Sequence, residues 1–105
     1  MKLNLHLERI KMVKYITFCE MTAEFLKLPI EQRQKYVQSW GRIGLTYGIK
    51  MMFWGMPAGV REHAVCVFEA NGNDEKFYKF QREWLALGTE EAGKFVRNTR
   101  TIPVY

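Results

Sequence analysis

Few residues in this chain could transfer a proton or act as a nucleophile. It has two histidines, His6 and His63, and two cysteines, Cys19 and Cys66. His63 and Cys66 are three apart in an apolar run, and on a strand that spacing turns them to opposite faces. A metal centre needs three or four converging ligands, so no metal is expected, and no other cofactor. A Cys–His pair would need Cys19 beside His63 across neighbouring strands, and nothing around either thiol marks it as a thiolate. No glycine-rich phosphate loop of the P-loop or dinucleotide type is present.

A binding cavity asks for less. Tyr15 and Thr17 share one face of the run "VKYITFCEM" (13–21), and His63 opens the run "REHAVCVFEA" (61–70). Grouped on one face, they would offer a polar group, or His63 as a general base, to an otherwise apolar pocket. Trp40, Tyr47 and Trp54 would then line it. The competing reading makes His63 a hydrogen-bonded rim residue and the rings plain core.

The elements that must hold these residues follow from spacing. Residues 13–21 are β-branched and aromatic and read as a strand. Thr22 caps a short turn over 22–27. Pro29 suits the first turn of a helix, where its missing N–H costs nothing. That helix, 29–47, carries Ile30, Tyr36, Val37, Trp40, Ile43, Leu45 and Tyr47 on one broad arc, and Gly48 stops it. Gly41 and Gly44 lie on the same arc, through close packing on the sheet or to leave space for a ligand. A strand over 49–56, "IKMMFWGM", turns at Pro57-Ala58-Gly59 into a strand over 61–70, as a hairpin. By simple alternation Met51 and Phe53 share one face, and Met52, Trp54 and Met56 the other. "NGND" (71–74) turns into a second helix, 74–87, that buries Phe77, Phe80, Trp84 and Leu87. Gly88 ends it, and "TEEAG" forms a further turn. A last strand over 94–105 contains Pro103, which belongs at an edge.

With 105 residues, 48% hydrophobic and 26% charged, the composition suits one globular domain. Residues 12–105 are expected to form it, with 1–11 as an N-terminal extension or arm. No apolar run reaches the length of a membrane span, and the first residues have no secretory pattern. Two thiols in strand-like runs suit a cytoplasmic protein with buried, reduced cysteines. The net charge of +5 resides in residues 1–52, scattered rather than blocked, which suits a solvated surface more than a nucleic-acid footprint.

The order β-α-β-β-α-β is the ferredoxin-like arrangement, α+β with an antiparallel sheet and both helices on one face. The inner strands are apolar on both faces. Ala64, Cys66 and Phe68 oppose Val65 and Val67, so the uncovered face needs a partner. The same face of a second copy provides one, and the expectation is a homodimer.

On this element order, and on "EFLKLPIEQRQKYVQSW" (24–40), the chain resembles the dimeric α+β barrel superfamily. Its Leu28-Pro29-x-Glu31-x-Arg33 segment is similar to a helix start common in such proteins. The superfamily includes muconolactone isomerase-like proteins, cofactor-independent and haem-degrading monooxygenases, and chlorite dismutase relatives. The resemblance implies a small dimeric barrel binding a small apolar or aromatic molecule, with cofactor-independent isomerase or monooxygenase chemistry as one outcome. A non-catalytic ligand-binding or structural dimer module is the alternative. RNA-recognition domains share the element order, but "REHAVCVF" (61–68) has His63 and Val65 where their stacking aromatics stand, so nucleic-acid binding is not expected.

Overall fold

A computed structural model describes residues 12–71, 74–87 and 92–105. The expected arm at 1–11, Gly72 and Asn73 of the first turn, and Gly88 to Glu91 lie outside the described residues, as do the side chains of Ala86, Leu87 and Ala92. Strand β1 is Val13–Met21, followed by a short helix α1, Ala23–Leu26, and by α2, Ile30–Leu45. Strands β2, Lys50–Gly55, and β3, Ala64–Ala70, come next. Helix α3, Asp74–Leu87, a turn of helix α4, Ala92–Phe95, and strand β4, Val96–Val104, follow. The sheet order is β2-β3-β1-β4, with every neighbouring pair antiparallel. This is the expected α+β architecture.

Local chemistry accounts for the element ends. The Thr22 hydroxyl accepts the Phe25 N–H at the start of α1, the N-cap bond that Thr, Ser, Asn and Asp supply. Arg33, from the Leu-Pro-x-Glu-x-Arg segment, donates Nε to the Leu28 carbonyl at 2.9 Å and its Nη2 to the Leu26 carbonyl. The guanidinium thereby satisfies carbonyls left open between α1 and α2, which gives that motif a structural role. At the other end of α2, Gly48 adopts φ +72°. The N–H of Ile49 returns to the Gly44 carbonyl, and that of Gly48 to Leu45, the paired bonds of a Schellman ending.

The helix-side face of the sheet is formed by Tyr15, Thr17 and Cys19 of β1, opposite Phe68, Cys66 and Ala64 of β3. All six are buried. Above them stand Trp40 of α2 and Phe77, Phe80 and Trp84 of α3, also buried. Tyr15 stacks on Phe77 at 4.1 Å between ring centroids, and Trp40 meets Trp84 at 5.6 Å. Burying each such side chain contributes roughly 1.5–3 kcal/mol, so these rings hold both helices on the same face.

Two expectations are corrected. The pairing of β2 shifts between Met51 and Phe53, a bulge that absorbs Met52 as an extra residue and breaks the alternation. Met51 and Trp54 therefore share the helix side, opposite Phe68 and Cys66, while Phe53 lies opposite Val67 on the other face. The connection from β2 to β3 is also longer than the expected hairpin, because β3 begins at Ala64 rather than Arg61. His63 N–H donates to the Cys19 carbonyl and Glu62 is drawn to Arg100 of β4. Residues 61–63 thus turn toward β1 and β4 rather than pairing with β2.

Candidate functional site

The site residues expected from sequence are distributed between the core and its rim. Tyr15 and Thr17 lie together on the helix side of β1, both fully buried. Trp40 is in the core under α2, and Tyr47 packs half-buried against Phe80 at 6.0 Å. Trp54 is half-buried on the helix side of β2. His63 stands apart from them, exposed at the start of β3, where its Nδ1 accepts the Met21 N–H at 3.0 Å. Among the described residues no group of His, Cys, Asp and Glu could hold a metal ion.

The two buried threonine and tyrosine side chains lead to different places. The Tyr15 hydroxyl donates to Asp74 Oδ1, and the Tyr105 hydroxyl donates to Asp74 Oδ2. These bonds hold the Asp74 carboxyl below its ordinary range, with Tyr105 as the larger cause. Burial, then the bond to Asp74, pushes the Tyr15 phenol well above its ordinary value. Asp74 also sits in the first turn of α3, where the helix dipole favours a negative charge. This arrangement fastens Tyr105 to α3 and keeps the Tyr15 phenol protonated near neutrality.

Thr17 leads into a polar cluster set between α3 and β4. Its Oγ1 lies 2.9 Å from Thr101 Oγ1. Thr101 Oγ1 donates to Gln81 Oε1 at 3.3 Å, and Gln81 Nε2 donates to Thr99 Oγ1 at 2.7 Å. Gln81 is 9% exposed and Thr17 0%. Thr99 and Thr101 alternate onto the helix side of β4, opposite Cys19 and Thr17. The cluster opens into a cleft of about 380 Å³ lined by Tyr78, Gln81, Arg82, Leu85, Thr99 and Thr101. Tyr78, Gln81, Arg82 and Leu85 are spaced i, i+3, i+4 and i+7, one face of α3.

A second depression, of about 400 Å³, lies between α2 and β2 and is lined by Gln38, Gly41, Arg42, Leu45, Lys50 and Met51. It is the space at Gly41 that the sequence suggested. Its described lining contains no buried polar group, whereas the α3–β4 cleft ends on buried Gln81 and half-buried Thr99 and Thr101, joined in one hydrogen-bonded cluster with buried Thr17. Convergent polar groups in a concave, part-apolar space are the mark of a ligand site, and the α3–β4 cleft is the better candidate.

Sequence reasoning overlooked Gln81, Thr99 and Thr101. The signal existed at Gln81: with Phe77, Phe80 and Trp84 it completes an i, i+3, i+4, i+7 stripe. A glutamine on the core-facing stripe of a helix must find partners inside. Two further buried donors, the indole N–H groups of Trp40 and Trp84, have no hydrogen-bond partner among the described residues.

The sheet face away from the helices carries Ile16 and Phe18 of β1, Val65 and Val67 of β3, Phe53 of β2 and Ile102 of β4. Phe53 is 57% and Ile102 42% exposed. One end of this face is charged. Arg100 lies 4.4 Å over the Phe18 ring and forms a bidentate pair with Glu62.

No protein-family model and no curated protein matches the chain. Solved structures do resemble it. A Dabb family protein with a ferredoxin-like fold from Mesorhizobium loti superposes with a TM-score of 0.60 at 9% identity, covering 90% of this chain and 95% of that one. A mutant chlorite dismutase from Candidatus Nitrospira defluvii gives 0.58 at 20% identity over 88% of this chain. The chain spans 39% of that protein's length. A dimeric ferredoxin-like protein of unknown function from Thermobifida fusca gives 0.53 at 13% identity, covering 88% of each chain. This chain has the ferredoxin-like fold. The likeness concerns backbone architecture, the same one that the element order and the Leu28–Arg33 segment implied. Among the described residues no helix is long and apolar enough to cross a membrane.

Proposed function

We propose that this chain is a cytoplasmic homodimer whose sheets pack face to face, and that each subunit binds a small aromatic or apolar molecule in the α3–β4 cleft. The observation that carries the binding reading is Gln81, a side chain nine-tenths buried that joins Thr17, Thr99 and Thr101 at the end of a cleft walled by Tyr78 and Leu85. Those groups can hold and orient a molecule. None is a general base, and His63 already accepts a backbone N–H, so the reading favours binding over catalysis.

The dimer rests on the uncovered sheet face. Its apolar residues run across all four strands, and a contiguous apolar face is costly to leave in water. A two-fold axis through it would bury the same patch on both copies. Resemblance to a solved protein described as dimeric and ferredoxin-like supports this arrangement. Free, buried Cys19 and Cys66 suit a reducing compartment.

Each half of the reading has its own test. Light scattering at micromolar concentration should give twice the chain mass, and Phe53→Arg, at an exposed position of that face, should give a folded monomer; a monodisperse wild-type monomer overturns the dimer. Indole, titrated into labelled protein and followed by amide chemical shifts, should perturb α3 and β4. Leu85→Trp, which fills the cleft, should abolish those shifts. Perturbation confined to other elements, or none at millimolar indole, overturns the site.

A further inference from the structure

The polar end of the α3–β4 cleft holds donors that its own hydrogen bonds leave unused. Gln81 brings two amide hydrogens, and Thr17, Thr99 and Thr101 bring one hydroxyl hydrogen each. The cluster contains three hydrogen bonds. Five hydrogens for three bonds leave two, and the count is the same whichever way round the Gln81 amide is placed. Thr17 is 0% exposed, so the surplus falls to the members that line the cleft, Gln81, Thr99 and Thr101. In the hydrogen-bonding sense observed, the free hydrogens are the second amide N–H of Gln81 and the Thr99 O–H. These groups are 2.7 Å apart at their heavy atoms, which suits two donors converging on one acceptor group.

The rest of the lining restricts what brings that acceptor. Tyr78 and Leu85 provide an aromatic and an aliphatic wall, and Arg82 stands on the same helix face. Among the described residues Arg82 has no hydrogen-bond or ion-pair partner, and none of those lining the cleft is a carboxylate. Two neutral donors and a guanidinium around an apolar space complement an anionic oxygen pair, since charge-assisted bonds are about twice as strong as neutral ones. The volume of about 380 Å³ fits a molecule of one or two rings.

We infer that the ligand of this cleft is a small aromatic carboxylate, its carboxylate received by Gln81, Thr99 and Arg82 and its ring by Tyr78 and Leu85. This rests on the binding reading above and adds the chemical class.

The test compares indole-3-carboxylate with indole by calorimetry, with amide shifts as the second readout. The carboxylate should bind at least tenfold more tightly. The exposed Arg82→Gln should remove about tenfold of the carboxylate's affinity and leave indole unchanged, and Thr99→Val should weaken the carboxylate at least as much. If Thr99→Val does not fold, as judged by far-UV circular dichroism, Arg82→Gln decides. Equal affinity for the two probes, or no effect of Arg82→Gln, overturns the carboxylate assignment while indole binding sensitive to Leu85→Trp keeps the cleft as a site. Failure of both probes to bind the wild type overturns the cleft and the assignment together.

Discussion

Arg100 and Glu62 form a two-point pair between β4 and the segment leading into β3. Nε donates to Oε2 at 2.9 Å and Nη2 to Oε1 at 3.0 Å, while the guanidinium Cζ lies 4.4 Å from the centroid of the Phe18 ring. The Glu62 side chain is 5% exposed and that of Arg100 49%. A bidentate pair with one partner enclosed fixes geometry more firmly than an exposed ion pair. It also explains why residues 61–63 leave β2.

That pair predicts an acid-sensitive component of stability. Hydrogen bonds from Arg100 hold the Glu62 carboxyl at about 2, below its ordinary 4.5. A lowered folded-state value means the stabilisation is complete above pH ~4.5 and is lost as pH falls toward 2. The urea midpoint of the wild type should therefore drop through this window. Asp74 shifts in the same direction, so the decisive quantity is the difference between wild type and Glu62→Gln, which should shrink as pH falls from 5 to 2.5. A difference that stays constant with pH would rule this out.

Two glycines of α2 predict substitutions of opposite sign. A Cβ at Gly44 would lie 3.0 Å from the Ile49 carbonyl oxygen and 3.4 Å from the Phe80 ring. A Cβ at Gly41 would meet only Met51, at 3.5 Å, an ordinary contact. Alanine is favoured over glycine in a helix interior by about 1 kcal/mol, and overpacking typically costs about 1–3 kcal/mol. Gly41→Ala should raise stability by up to about 1 kcal/mol. Gly44→Ala should lower it by about 1–2 kcal/mol, once propensity offsets part of the overpacking. Chemical denaturation of both variants checks this; a shared sign would show that the two positions are not packed differently.

Legibility in the sequence followed the strength of local pattern. β1 and α3 announced themselves through an unbroken β-branched run and a clean aromatic stripe, and their observed bounds agree with the expected ones. The faces of β2 were not legible, because a bulge depends on pairing with β3 and no residue type at Met52 requires one. The start of β3 was read too early for a similar reason: Glu62 is removed from the ladder by Arg100, 38 residues away. Tyr15 and Thr17 were correctly paired on one face by alternation alone. Their partners, Asp74 and Thr101, could not be, since those contacts depend on how α3 and β4 dock. Gln81 was legible as a polar residue on an apolar stripe, and its meaning appears only beside Thr99 and Thr101.

The last prediction concerns Cys19 and Cys66, free and buried at 1% and 2% exposure. They face the same side of neighbouring strands, diagonally across the β1–β3 ladder, because Cys19 pairs with Ala64 and Cys66 with Thr17. A hydrogen bond with Cys66, then burial, pushes the Cys19 thiol well above its ordinary value. The thiolate is the reactive form, so a raised value and an enclosing core both slow attack. These thiols belong to the inner strands, where opening requires near-global unfolding. An Ellman titration of native protein at pH 8 should therefore show almost no release over minutes, and two equivalents per chain once denaturant is added. Reactivity in native protein should follow the unfolding equilibrium as urea rises. Rapid labelling of either cysteine without denaturant would show that the β1–β3 core opens locally and is not the rigid platform on which the cleft is built.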